Sequence, residues 1–439
     1  MAVEPSSSSS LFALVRHLAP STVPLAPMRI LVTGGAGYVG SHVVRALKRA
    51  EHSILVVDDL STGSAAFAER NGVELLEGDV GDAAFLDSVF SDHTIDLVVH
   101  CAGLAVVGES VREPDRYFAV NTVGGFVLLE AMRRHAVTRI VFSSTCSVYG
   151  VPDSLPVTEE TPTRPVTPYG ASKLAFEQMM SGYARAYGFR ALALRYFNVG
   201  GASTEGDLGD LNASGTRLIP NLLGAARRQE PFSVFGHNYP TRDGTGERDY
   251  LHVEDLARAH AQAVARLDIV DPLGFGGALN LGMGRGYTVR EVLAEVENQL
   301  SETLLVREVP RRPGDPPALV ADASLAGRIL GFRADHDLAS IVRSARVFEE
   351  RERQPGGLLF ERERQLQVQV ASGETSLRLG EAVVKAGFVD QEGVDKALDI
   401  QRDRDGVGEP HQLLGLILLE TGAISSAQLI RALRSIGRG

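Results

Sequence analysis

Residues 29–42 read RILVTGGAGYVGSH, and no other stretch restricts the fold as strongly. A short β-branched run, RILVT (29–33), passes through a glycine-rich turn into a helix-period pattern, with Gly34, Gly37 and Gly40 in GxxGxxG spacing. Glycines placed this way let backbone N–H groups approach a pyrophosphate at the N-terminus of the following helix. A plain tight turn would also use glycine, so the flanks carry the reading. SILVVDD (53–59) is a second predicted strand; it brings Asp58 to the place where a carboxylate binds an adenosine ribose, which favours NAD over NADP. Apolar runs at 96–103, 139–145 and 190–198 repeat the theme, with helical patterns such as 123–136 between them. Continuous apolar strands alternating with helices predict an α/β fold, a doubly wound parallel sheet covered on both faces.

Charge and cysteine usage narrow the function classes. Asp and Glu total 55 against 44 Lys and Arg, a net charge of −11, which excludes a surface built to wrap nucleic acid. Only four of the basic residues are lysines: Lys48, Lys173, Lys385 and Lys396. Two cysteines, Cys101 and Cys146, cannot form a disulfide framework, and a reducing cytoplasm is expected. No apolar run is long enough to span a membrane. The opening segment lacks the basic start of a signal peptide and is interrupted by Arg16 and His17; residues 1–27 are expected to be a disordered extension, with Met28 a candidate initiator. The eleven histidines show no paired ligand spacing, so no metal is expected, and His252 and His260 read as structural.

Tyr169 and Lys173 stand four apart on a predicted helix, hence on one face. A free phenol has a pKa of about 10 and is a poor base at neutral pH. A nearby ammonium favours the phenolate. Random placement of ten tyrosines and four lysines predicts roughly 0.1 such pair, so chance explains it badly. FSSTCSVYG (142–150) ends a strand in hydroxyls and places Thr145 to hydrogen-bond a reacting hydroxyl beside the tyrosine; Cys146 next to it reads as a packed thiol.

From Met28 to about residue 345 the chain resembles the extended short-chain dehydrogenase/reductases, and within them the UDP-sugar 4-epimerases. The matching motifs are LVTGGAGYVGSH, LLEGDV, VGES, VNTVGG, SSTCSVYG, PYGASK, LRYFN, YPTRDGTGERDYLHV and RRPGD. The resemblance implies a Rossmann-type sheet and NAD-dependent interconversion of UDP-glucose and UDP-galactose. It implies Tyr169 as acid/base, Lys173 as its tuner and a ribose contact, and Thr145 as third member. NAD would meet Gly34, Gly37, Tyr38, Val39, Asp58, Asp79, Val80, Asn121, Lys173 and Tyr196. The UDP-sugar would meet Thr145, Tyr169, Asn198, Arg248, Arg312 and Asp315. A homodimer is expected.

Departures from the family pattern bear on the sugar. Ala105 stands where a lysine is frequent, Cys101 where an aromatic is common, Val199 where proline follows LRYFN, and Arg217 where Asn or His is frequent; Leu319 matches a position whose side-chain size is linked to tolerance of N-acetylated sugars. UDP-N-acetylglucosamine, UDP-xylose and UDP-glucuronate therefore stay open as substrates. A 4,6-dehydratase would need an Asp-Glu pair after Thr145, where Cys146 and Ser147 stand. A silent NAD-binding sensor would have no need of Tyr169, Lys173 and Thr145.

The expected organisation is an NAD-binding domain over 28–200, a smaller α+β region mainly binding substrate over 201–345, a charged linker over 346–373 and a helical domain over 374–439. LGEAVVKAGFVDQEGVDKAL (379–398) repeats weakly as LGLILLETGAISSAQLIRAL (414–433), an offset of 35. Each half reads as helix, glycine stop, polar cap (Asp390, Ser425) and helix. The repeat is similar to the small N-terminal domains of type II secretion ATPases. The favoured reading is a helical docking or oligomerisation module, with a protein partner.

Overall fold

The computed structural model describes residues 26–211, 215–270, 275–311 and 315–362, then 379–380, 382–384, 386–406, 414–424 and 428–429. The extension expected at 1–27 lies almost wholly outside these residues. The chain divides into two compact units, one from Met1–Asp210 and Leu222–Ala345, the other from Leu211–Asn221 and Arg346–Gly439.

The first unit is built on seven strands: β1 (Arg29–Thr33), β2 (Ser53–Asp58), β3 (Glu74–Glu77), β4 (Leu97–His100), β5 (Arg139–Thr145), β6 (Arg190–Tyr196) and β7 (Phe275–Leu281). All neighbours pair in parallel, in the order β3-β2-β1-β4-β5-β6-β7. The winding reverses between β1 and β4, which opens a crevice at the carboxyl ends of these two strands. Among the helices are α1 (Tyr38–Arg49), α2 (Gly124–Arg134), α3 (Pro168–Tyr187) and α4 (Val253–Val270).

The two-residue period of the strands sorts their side chains into two cores. Ile30 and Val32 pack with Val43, Val44 and Leu47 of α1 and with Leu256, Ala259 and Ala263 of α4. Leu31, Val57 and Phe142 point the other way, onto Leu128 and Met132 of α2 and Phe176 and Met180 of α3. Each fully buried Leu, Ile or Phe contributes about 1.5–3 kcal/mol, which is why β1, β2 and β4 are apolar through their centres.

The strand predicted at 96–103 stops at His100, because Gly103 turns the chain at φ +149. That predicted at 190–198 stops at Tyr196, and Asn198–Gly200 joins a second sheet instead. This second sheet is centred on Glu247–His252, which also pairs with Gly286–Thr288 and Ala318–Leu319. Phe232–Phe235 and Val306–Val309 form a separate parallel pair.

In the second unit, the described helices Gln391–Gly406 and Leu414–Glu420 enclose an apolar core that includes Leu379, Val383, Val394, Ile417 and Leu418. The repeat is visible in the backbone. Gly387 (φ +66) and Gly422 (φ +71) each donate N–H to the carbonyl three residues earlier, Val384 and Leu419, at 2.9 and 3.0 Å. Asp390 caps the next helix through the Gly393 N–H at 2.8 Å; Ser425 lies outside the described residues. At 346, where a linker is expected to begin, helix Leu338–Glu352 continues and buries Phe348 and Glu352.

Candidate active site

At the carboxyl end of β1 the glycine turn leaves no room for side chains. A Cβ on Gly34, held at φ +72, would lie 2.5 Å from the Ala102 backbone nitrogen; one on Gly40 would lie 2.0 Å from the Gly34 carbonyl oxygen. Gly37 opens α1 without any side-chain cap, so the first helical N–H groups stay available to an anion. Asp58, ending β2, accepts N–H bonds from Ala36 and Leu60, both at 2.9 Å. Burial pushes its pKa up. It therefore shapes the glycine turn itself. These features fit a dinucleotide pyrophosphate and its adenosine ribose. Asp79 and Val80 follow β3, and Asp79 accepts the Gly81 N–H at 2.7 Å. Tyr38 and Val39 begin α1; the Tyr38 hydroxyl donates to the Gly201 carbonyl at 2.7 Å. Tyr196 closes β6.

Beside this turn, α3 presents Tyr169 and Lys173 on its buried face, capped at its start by Thr167. The Lys173 Nζ donates to the Ser143 carbonyl at 3.1 Å and lies 4.7 Å from the centre of the Phe142 ring. Burial lowers its pKa to about 8. The Tyr169 ring meets Tyr117 edge-on at 6.3 Å. Thr145, the last residue of β5, accepts the Ser147 N–H at 3.1 Å. Asn121 ties the β4 loop to α3: its amide bonds both backbone groups of Leu104, at 2.8 and 3.0 Å, and the Ser172 hydroxyl at 3.0 Å. The residues named from sequence for NAD and for acid/base chemistry thus gather around the carboxyl ends of the parallel strands.

On the second sheet, Arg248 is paired with Asp315 and donates to the Glu247 carbonyl at 2.7 Å. Its neighbour Asp249 is fully buried and accepts N–H bonds from Met283, Gly284 and Ala321 at 2.7, 2.9 and 3.2 Å. Burial raises the Asp249 pKa to about 6, against those three donors. Asp249 thereby fixes the strand that carries Arg248. Asn198 starts the strand Asn198–Gly200 alongside. Arg312 lies outside the described residues.

Two groupings escaped the sequence reading. Glu177, one turn beyond Lys173 on α3, forms a buried ion pair with Arg195 of β6. The spacing Tyr169–Lys173–Glu177 was legible, but the arginine partner is set by the sheet. His252, Glu254 and His336 also come together, their polar atoms within 4.8 Å of one another. Their partners are already protein groups: His252 bonds the Glu254 N–H and Ser344, His336 bonds Asp255, and both Glu254 oxygens bond Thr204. The two imidazoles stack at 4.1 Å, a packing arrangement rather than a converging ligand set.

Residues 30–282 match the model of the NAD dependent epimerase/dehydratase family. The chain is 47% identical over 327 residues to a UDP-glucose 4-epimerase of Azospirillum brasilense, covering 73% of this chain and 92% of that relative. Its fold is similar to a UDP-glucose 4-epimerase from Stenotrophomonas maltophila with bound NAD and formylated UDP-arabinopyranose (TM-score 0.71, 38% identity, 75% of this chain and all of that one). It is likewise similar to one from Brucella ovis in complex with NAD (TM-score 0.69, 42% identity, 73% and 98%).

Proposed function

The chain belongs to the NAD dependent epimerase/dehydratase family, and from that premise we propose that it interconverts UDP-glucose and UDP-galactose. One observation carries the mechanism: a buried tyrosine and lysine share one helix face beside an uncapped glycine turn. Bound NAD supplies a reversible hydride acceptor, so oxidation and re-reduction at C4 leave no net redox change. Tyr169 takes the proton of the sugar 4-hydroxyl, holds it, and returns it to O4. The Lys173 ammonium stabilises the phenolate in a site where water is excluded and charge interactions are strong. The Thr145 oxygen accepts the Ser147 N–H, and its own proton would donate to O4. Arg248 grips the diphosphate, with Asn198, Arg312 and Asp315 around it, while the 4-keto sugar turns to present its other face.

Purified full-length protein given UDP-galactose should form UDP-glucose without consuming added oxidant. No UDP-glucose, even with NAD supplied, would overturn the proposal. Parallel incubations with UDP-N-acetylglucosamine, UDP-xylose and UDP-glucuronate rank the sugars.

We also propose a homodimer. Val107, Val111, Phe118, Val123 and Phe126 are exposed apolar residues within one 20-residue stretch, more than scattered surface exposure accounts for. Light scattering should give twice the chain mass, and Phe126→Asp should shift it to the monomer; an unchanged mass would place the interface elsewhere. No described helix is long and apolar enough to cross a membrane. A reducing cytoplasm suits the two free thiols.

A further inference from the structure

Behind Lys173 runs a buried polar chain that the mechanism above does not use. Glu177 is 3% exposed and receives the Ser144 hydroxyl on one oxygen. Arg195 grips the carboxylate through Nε at 3.1 and 3.2 Å and Nη2 at 2.6 Å. The same guanidinium donates to the Tyr149 hydroxyl at 3.0 Å, which donates to Asn280 of β7 at 2.7 Å. Ser144 lies between Ser143, whose carbonyl holds the Lys173 ammonium, and Thr145. One carboxylate is thus bonded to the strand end bearing Thr145 and the Ser143 carbonyl, from the helix bearing Tyr169 and Lys173.

We infer that Glu177 is a positioning residue for the reaction: it supplies the buried negative charge facing the Lys173 ammonium and clamps the Ser143–Thr145 strand end against α3. The groups around Lys173 are Tyr169 and Glu177 on its own helix, Arg195 of β6 paired with that Glu177, and His100 and Cys101 at the end of β4. Burial lowers His100 to about 3 and raises Cys101 to about 11, so both are neutral near pH 8. Cys101 and then Glu177 oppose the desolvation of Lys173, and because the thiol is neutral there, the Glu177 carboxylate is the anion of the two. Its removal makes the ammonium release its proton at lower pH, and the Tyr169 phenolate loses its cation there. The catalytic consequence rests on the epimerase reading, whereas the charge state of Lys173 does not.

The test uses the four-lysine composition. Full-length NAD-bound protein carrying ¹³C at lysine Cε gives four resonances, and Lys173 is the one missing in Lys173→Met. In wild-type protein it should titrate below the ordinary lysine range. In Glu177→Gln it should titrate about one unit lower or more, and the alkaline limb of kcat should move down with it while KM holds. Glu177→Asp, which keeps the charge, should restore the limb. Because a lone buried guanidinium can prevent folding, Glu177→Gln/Arg195→Gln removes both charges together and should shift Lys173 in the same direction but by less. Wild-type titration and a parallel kcat–pH profile in the folded variants would overturn the inference. Absent epimerisation in the wild type counts against the function, and the Lys173 titration then decides the positioning role alone.

Discussion

Tyr169→Phe lowers kcat for UDP-galactose by about 10³-fold while the protein keeps its NAD. Proton transfer by a positioned group contributes about 10²–10⁴-fold, and the substitution removes the one atom assigned to it. The ring survives, so its edge-on contact with Tyr117 and its burial against the sheet persist. The Lys173 contact with the Ser143 carbonyl does not involve the phenol. Progress curves with UDP-galactose, together with the absorbance of nucleotide released on denaturation, separate the two effects. Activity within about tenfold of wild type would move the proton to another group. Complete loss with full NAD content also disfavours a silent sensor, whose output would not depend on one phenolic oxygen.

Gly40→Ala is the second large effect. Its Cβ would sit 2.0 Å from the Gly34 carbonyl oxygen and 2.8 Å from the carbonyl carbon, backbone atoms that cannot rotate away. Gly34 cannot retreat either, since it is packed against Ala102 at φ +72. The turn and α1 must separate, at a cost of about 1–3 kcal/mol, and the N–H groups leave the pyrophosphate position. NAD retained through purification should fall at least about tenfold, with a lower Tm. Gly108→Ala is the control, because a Cβ there meets nothing within 4 Å. Equal NAD content in both variants would mean that the turn is not the cofactor cradle.

Much of the sheet was legible because the centre of a strand covered on both faces must be apolar. β1 and β5 fall where RILVT and RIVFSST predicted them. β3 was missed because ELLE carries glutamates at both ends, and β7 because FGGALNL begins with glycines that weaken any strand signal. The site was legible where function imposes a local spacing, as in Tyr169–Lys173 and the glycine turn. It was not legible where partners meet only through the sheet: Glu177 with Arg195, or His252 with His336 across 84 positions.

The all-parallel strand order also sets a timetable for synthesis. β6 pairs on one side with β5 and on the other with β7, whose residues leave the ribosome some 80 positions later. Until Phe275–Leu281 arrives, Ala191–Tyr196 is an apolar strand with an unpaired edge, a template for another chain. The nascent protein is therefore most prone to aggregate after β6 and before β7 has emerged, and slower translation between them lengthens the exposure.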